Sequence, residues 1–194
     1  MKVSVITAAA LYTIAAVAAP SAHNLGGWRG NGRDRDCKKG LDTLPFNFTS
    51  KYSVRATPDQ VVNGTTFTGG LPGASGVYDL GLNSQSNFLC WYIEIKGFRG
   101  EYSSPALTAT HIHQSPRGQS GPPRIAFPNP ISIDNNTRVS VGCQQGPFRT
   151  GILANGVDTG LAFNVGQIEA NPAGFDVDVH SSLALPGAIR GQIA

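Results

Sequence analysis

The stretch FLCWYIEI, residues 88–95, decides the fold class of this chain. Side chains alternate across a β-strand, so residues two apart share a face. In an extended conformation the stretch has two faces, one with Leu89, Trp91, Ile93 and Ile95 and one with Phe88, Cys90, Tyr92 and Glu94. A strand that is apolar on both faces is typical of the middle of a sheet. The stretch therefore predicts a central strand.

Shorter segments of the same kind lie on both sides of it, separated by turns rich in Gly, Pro and Asn. The chain has 24 Gly and 13 Pro, and only 14% of its residues are charged, which is typical of a turn-rich β protein. We expect about eight strands, the others at residues 51–56, 77–83, 107–113, 124–127, 137–141, 175–182 and 188–193. A short helix or turn is expected at residues 165–172. The predicted fold is all-β, an antiparallel Greek-key or immunoglobulin-like β-sandwich or barrel.

The N-terminal residues are typical of an export signal. Lys2 precedes an apolar stretch, and Ala16-Val17-Ala18 forms a small-x-small cleavage site, so residues 1–18 are predicted to be a secretory signal peptide. Residues 19–49 are rich in Gly and Arg and are predicted to be a mobile or loosely docked leader. Residues 50–194 are predicted to form the β domain. No second apolar run of membrane length follows, so we expect a secreted protein without a transmembrane segment.

Three Asn-x-Ser/Thr triplets agree with export. They begin at Asn47, Asn63 and Asn135, each in a polar or turn-like setting, and they predict N-glycosylation.

The three cysteines also suit an oxidising compartment. Cys90 and Cys143 both lie in segments expected to form the core, so they are predicted to form a disulfide. Cys37 is then left over, and it is free, bonded to another molecule, or removed by processing near Lys38-Lys39.

Several classes of function are not indicated. The formal net charge is only +3 and the basic residues are scattered, which argues against a nucleic-acid-binding protein. The chain has no Gly-x-Ser-x-Gly elbow, phosphate loop or Cys-x-x-Cys motif. Asp176 and Asp178 form a pair of carboxylates, but we interpret them as solvent-facing acids, since nothing in the sequence indicates a sugar cleft.

Histidine is rare in the chain, with four in all. Alternation places His111 and His113 on one face of their strand, and it places His180 with Asp176 and Asp178 on one face of another. If the two strands are neighbours, three imidazoles could bind one copper or zinc ion, with Asp178 accepting a ring N–H in the second shell. The alternative is that these histidines make structural hydrogen bonds over the sheet. The fourth histidine, His23, is interpreted as a tail residue.

Four segments, in this order along the chain, resemble those of a known family. They are THIHQSPRGQSGPPRIAFPNP (residues 110–130), GPFRTGI (146–152), IEANPAGFDVDVHSS (168–182) and LPGAIRGQI (185–193). Together they resemble the CHRD domain, which occurs in chordin and in bacterial and fungal secreted proteins. The resemblance covers roughly residues 50–193, and the RIAFPNP and Cys-x-x-Gly-Pro-Phe segments are most similar to the fungal secreted branch.

The resemblance implies a Greek-key or immunoglobulin-like β fold and a distant kinship with copper/zinc superoxide dismutases. In that comparison His111, His113 and His180 match copper ligands, and Arg190 matches an arginine that guides an anion. The histidine that bridges two metals and the zinc-binding set have no counterpart here, because only His23 remains. The resemblance therefore implies one ion at most.

The expected function is that of a secreted CHRD-domain protein of unassigned biochemical activity, which serves as an extracellular or cell-wall-associated binding or structural module. Its partner would be a matrix or wall component. The alternative is a mononuclear copper- or zinc-binding protein with a dismutase-like site. Enzyme activity and oligomeric state stay open, and a non-enzymatic function is preferred.

Overall fold

The computed structural model describes residues 47–194. The predicted signal peptide, most of the leader, His23, Cys37 and the Lys38-Lys39 pair lie outside the described residues.

The described residues form short strands joined by turns, with one short helix. The strands are β1 (Ser50–Ala56), β2 (Val62–Asn63), β3 (Thr66–Phe67), β4 (Ser75–Asn83), β5 (Phe88–Lys96), β6 (Thr110–His113), β7 (Pro123–Phe127), β8 (Ile131–Ser132), β9 (Thr137–Gln145), β10 (Leu153–Ala154), β11 (Val157–Asp158), β12 (Asp176–Ser181) and β13 (Ala184–Gln192). The helix α1 spans Gly166–Ala170, and 3-10 turns span Pro58–Gln60 and Pro172–Gly174. The predicted short helix before Pro172 is confirmed. Within residues 47–194 no helix has the length and apolar character needed to cross a membrane.

Two antiparallel sheets carry most of these strands. One has five strands in the order β1-β4-β5-β9-β8, and the other has four in the order β13-β12-β6-β7. The third of the five strands is β5, so its predicted central position is confirmed. The pairs β2–β3 and β10–β11 are separate two-stranded hairpins.

The core fills the space between the two sheets. The ring centroids of Trp91 in β5 and Phe127 in β7 lie 5.0 Å apart, and Ile112 and Val177 of the four-stranded sheet are fully buried. At one edge the sheets are joined by a bridge from Thr57 to Arg190, with backbone N–H···O distances of 2.9 and 3.1 Å. The predicted all-β antiparallel sandwich is confirmed.

Several strand boundaries differ from prediction, and three differ by three residues or more. The strand β9 ends at Gln145, four residues later than predicted. The strand β6 begins at Thr110 and not at residue 107, because the backbone N–H of Leu107 donates to Thr150 and that of Ala109 to the side chain of Asn129. The strand β13 begins at Ala184, four residues earlier than predicted.

The disulfide between Cys90 and Cys143 is confirmed. The two residues lie directly opposite each other on β5 and β9. The expectation that both are buried in the core is wrong for Cys143, because the bond is on the outward face of the five-stranded sheet. Cys90 is 1% exposed there, whereas Cys143 is exposed.

Candidate metal centre

The predicted histidines lie together on the outward face of the four-stranded sheet. The strands β6 and β12 are neighbours, with His111 opposite Asp178 and His113 opposite Asp176. Alternation along β12 puts His180 on the face that carries Asp178. One possible ligand atom from each of His111, His113, His180 and Asp178 lies within 4.8 Å of the other three. We call these four residues the histidine cluster.

The carboxylate of Asp178 occupies the middle of the histidine cluster. Its Oδ1 lies 3.3 Å from His111 Nδ1, and its Oδ2 lies 3.3 Å from His113 Nε2 and 2.8 Å from His180 Nε2. The nitrogens His111 Nδ1 and His113 Nε2 are 3.4 Å apart. The sequence predicted a second-shell role for Asp178, but here its oxygens lie among the imidazole nitrogens.

Backbone carbonyls hold the three rings on the side away from Asp178. Each imidazole has its other ring nitrogen at a carbonyl oxygen: His111 Nε2 at Thr108 (2.7 Å), His113 Nδ1 at Gly121 (2.7 Å) and His180 Nδ1 at Leu185 (2.8 Å). A carbonyl oxygen can only accept, so each of these nitrogens carries the hydrogen. In a neutral ring the other nitrogen then has a free lone pair. All three lone pairs are on the nitrogens that face Asp178.

A β-bulge supplies one of these carbonyls, that of Leu185, and the loop after β6 supplies that of Gly121. The pairing of β6 with β7 shifts register between Ile112 and His113, and the pairing of β12 with β13 shifts between Val179 and Ser181. The second shift leaves Leu185, Pro186, Gly187 and Ala188 opposite His180. Bulges redirect side chains and are common beside functional sites. The Pro-Gly pair within the β13 sequence is the signal that could have indicated this bulge.

Burial and charge act in opposite directions on the titration of the histidine cluster. His111 is 1% exposed and Asp178 is 6% exposed. Burial would raise the pKa of Asp178, but the neighbouring imidazoles, those of His113 and His180 above all, outweigh it and hold that pKa well below its usual range. Burial alone would lower the pKa of His180, but the neighbouring Asp178 carboxylate raises it to about 9. Burial lowers the pKa of His113, against the attraction of Asp178. In the metal-free protein, therefore, His180 carries a proton that pairs with Asp178.

A second polar group lies beside the histidine cluster. Asp176 is buried and pairs with Arg190 at 3.0 Å, and the Ser115 hydroxyl donates to the same carboxylate oxygen. The interpretation of Asp176 and Asp178 as solvent-facing acids is therefore wrong, because the loop after β6 covers them. The guanidinium of Arg190 also donates to the carbonyls of Pro116 and Gln119. These bonds tie the covering loop to the sheet.

A cavity of about 160 Å³ opens beside these groups. Its wall includes His113, Asp178, His180 and Arg190. The histidine cluster is therefore next to a space that a small solute could enter.

Tyr78 links the histidine cluster to the core. This fully buried residue of β4 donates its hydroxyl hydrogen to the backbone carbonyl of Asp178, 2.8 Å away. The sequence does not indicate this contact, because it joins residues 100 positions apart.

Comparisons with curated proteins and with solved structures gave no match. The family model of the CHRD domain matches residues 52–193, a span that contains both sheets and the whole histidine cluster. The chain therefore belongs to the CHRD domain family.

Proposed function

We propose that this CHRD domain binds one copper or zinc ion through His111, His113, His180 and Asp178. The main support for the proposal is that three imidazole nitrogens and one carboxylate point their lone pairs at the same place. When the rings are neutral, three imidazole lone pairs and a carboxylate lie in contact, and every N–H of the three rings is already donated to a carbonyl. Such a group of acceptors needs a cation, either a proton or a metal ion.

The donor set fits these two metals. Imidazole and carboxylate are common ligands of zinc, and imidazole suits Cu(II) as well. Metal-binding histidines usually donate the other ring N–H to a carbonyl or carboxylate, which fixes the tautomer and the ring orientation. Thr108, Gly121 and Leu185 provide this support for all three rings. With those positions filled by carbonyls, Asp178 is assigned as the fourth ligand.

The residues around the histidine cluster fix the positions of the groups that would bind an ion. The bulge in β13 orients His180, and the carbonyl of Gly121 orients His113. Tyr78 holds the backbone of Asp178, and Arg190 holds the covering loop. A bound ion would supply Lewis-acid chemistry, or redox chemistry if it is copper, at the edge of the cavity.

We also propose that the protein is secreted and glycosylated. A disulfide suits an oxidising compartment. The predicted acceptors Asn47, Asn63 and Asn135 are all exposed. Expression through a secretory host tests this: the mature N-terminus should lie near residue 19, and endoglycosidase treatment should lower the mass.

Elemental analysis of the natively purified, dialysed protein tests the metal site. We expect about one equivalent of copper or zinc per chain, and electron paramagnetic resonance distinguishes copper from zinc. His111→Ala and Asp178→Asn should each remove the ion, and His180→Gln provides a second ligand variant in case His111→Ala folds poorly. Glu94→Gln is the matched control, because it removes a carboxylate on the outward face of the other sheet.

Two results would contradict the metal site: no stoichiometric ion in native protein and none taken up from added Cu(II) or Zn(II), or an ion that all three ligand variants retain. Either result would leave the expected extracellular or cell-wall binding module, with the histidines in a structural role.

A further inference from the structure

The β2–β3 hairpin forms part of the wall of the cavity beside the histidine cluster. The floor of the cavity is buried and contains Asp178 and Arg190. Three residues that line the cavity are exposed: Asn63, Ser120 and Pro186. An exposed residue that lines a cavity lies where the cavity meets solvent. These three residues therefore mark its mouth, and Asn63 belongs to the hairpin.

The hairpin is fixed over the cavity by backbone hydrogen bonds. Its turn residue Gly64 accepts a hydrogen bond from the N–H of Ser120 at 2.8 Å, and Val61 accepts one from Thr68 at 3.0 Å. Gly64 has a φ of +63°, as the first central residue of a type II′ turn requires. A Cβ at Gly64 would have nothing within 4 Å, so the turn is open to solvent. Asn63 thus combines a fixed backbone with an accessible side chain.

Asn63 is also the first residue of the Asn63-Gly64-Thr65 acceptor triplet. We propose that a glycan on Asn63 covers the mouth of the metal cavity, so that ions and small solutes reach the histidine cluster and macromolecules do not. A glycan is bulky and hydrated, and here its attachment point is on the cavity wall. This inference rests on the proposed metal site and adds a selectivity for the size of the reaction partner.

The test compares metal release to chelators of two sizes. Full-length protein from a glycosylating secretory host is loaded with Zn(II), and the release rate is measured with free EDTA and with EDTA coupled to dextran. Thr65→Ala removes the acceptor triplet and leaves the Asn63 side chain on the cavity wall. Asn135→Gln is the matched control, because it removes a triplet at an exposed residue that is not among those lining the cavity. Trimming the glycan of the folded wild type with an endoglycosidase provides a second route.

We expect glycopeptide mapping to show an occupied Asn63. Release to dextran-linked EDTA should become severalfold faster in Thr65→Ala and after trimming, while release to free EDTA changes less and Asn135→Gln matches the wild type. An unoccupied Asn63, or equal rates of release to dextran-linked EDTA with and without the glycan, would overturn the inference while leaving the metal site intact. Failure of every variant, wild type included, to bind Zn(II) or Cu(II) would overturn the metal site and the inference together.

Discussion

The two sheets of the sandwich each have an outward face, and the two faces differ in what covers them. On the four-stranded sheet, Asp176 and Asp178 are buried and line a cavity together with the loop after β6 and the β2–β3 hairpin. On the five-stranded sheet, Val141 is 67% exposed and Cys143 is exposed. Strand alternation is the same on both sheets. Within residues 47–194, a group of buried His and Asp side chains that converge on one point is found on the covered face only.

The difference shows that the candidate metal site depends more on the loop and hairpin that cover the sheet than on the residue types of its strands. A covering loop removes water, so the polar groups beneath it must find partners within the protein. The loop after β6 supplies such partners through the carbonyls of Pro116, Gln119 and Gly121. On the open face, by contrast, Glu94 pairs with Lys96 at 3.0 Å in contact with solvent.

Removing a carboxylate from each face tests this comparison, and the covered face should give the largest effect. Asp178→Ala leaves His180, whose side chain is 14% exposed, without its anionic partner, so the free energy of unfolding of the metal-free protein should fall by about 3–5 kcal/mol. Urea unfolding followed by tryptophan fluorescence measures the change. The same variant should also lose the ion.

The control on the open face is Glu94→Gln. An exposed ion pair contributes little, so the change should stay below about 1 kcal/mol. Equal costs for the two substitutions would show that coverage does not distinguish the faces.

The disulfide is the strongest covalent feature of the open face. Replacing Cys90 and Cys143 by Ser should lower the free energy of unfolding by about 4 kcal/mol, because the bond closes a loop of 53 residues in the unfolded chain. Metal stoichiometry should be unchanged, since the bond is not on the sheet that carries the histidine cluster. Urea titration under non-reducing conditions measures the first effect and elemental analysis the second.

Cys37→Ser serves as the control and should leave the joined Cys90–Cys143 peptides in a non-reducing map. A free thiol at Cys90 in the wild-type protein would contradict the pairing.

Alternation was sufficient to predict much of this arrangement. It identified β5 as a central strand and placed His111 with His113 and Asp178 with His180. These predictions succeeded because the direction of a side chain in a regular strand follows from its position in the sequence alone.

Features that depend on distant or main-chain groups were not predictable in the same way. The burial of Asp176 comes from a loop whose path the sequence does not reveal. The positions of the Thr108 and Gly121 carbonyls do not depend on the side chains of those residues, so the sequence does not indicate them. The hairpin strands have only two residues each, which is too short for an alternation of apolar and polar residues to be recognised. For the bulge in β13, only Pro186-Gly187 gave a local signal.

That bulge offers a test that separates backbone strain from site geometry. Gly187 has a φ of +140°, and an added Cβ would lie 3.0 Å from Val61. Gly187→Ala should cost about 1–3 kcal/mol. Because Leu185 in the same bulge orients His180, metal affinity should also fall, by about tenfold or more. Urea unfolding and a competition titration with a chelator measure the two effects.

Gly156→Ala is the matched control for the bulge. Gly156 has a φ of +81° in the β10–β11 turn, and an added Cβ would have nothing within 4 Å. The Gly156→Ala variant should have a lower free energy of unfolding and an unchanged metal affinity. A loss of affinity of similar size in both variants would show that the bulge has no particular effect on the histidine cluster.

The smallest expected effect concerns two tyrosines on opposite faces of the five-stranded sheet. The hydroxyl of Tyr78 crosses the core to the carbonyl of Asp178, whereas that of Tyr92 reaches Glu94 on the open face at 3.2 Å. Tyr78→Phe removes one buried hydrogen bond and should cost about 1 kcal/mol. It should also weaken metal binding severalfold, because the backbone of Asp178 loses a fixed contact.

Tyr92→Phe provides the comparison for Tyr78→Phe, and it should change stability by less than about 0.5 kcal/mol and leave metal affinity unchanged. The informative quantity is the metal affinity, since a purely structural role for Tyr78 would lower stability alone. If Tyr78→Phe is destabilised but binds metal as tightly as the wild type, the covered face positions its ligands without help from the opposite sheet. If the metal affinity of Tyr78→Phe falls, the core contributes to the site through the Tyr78 hydroxyl group.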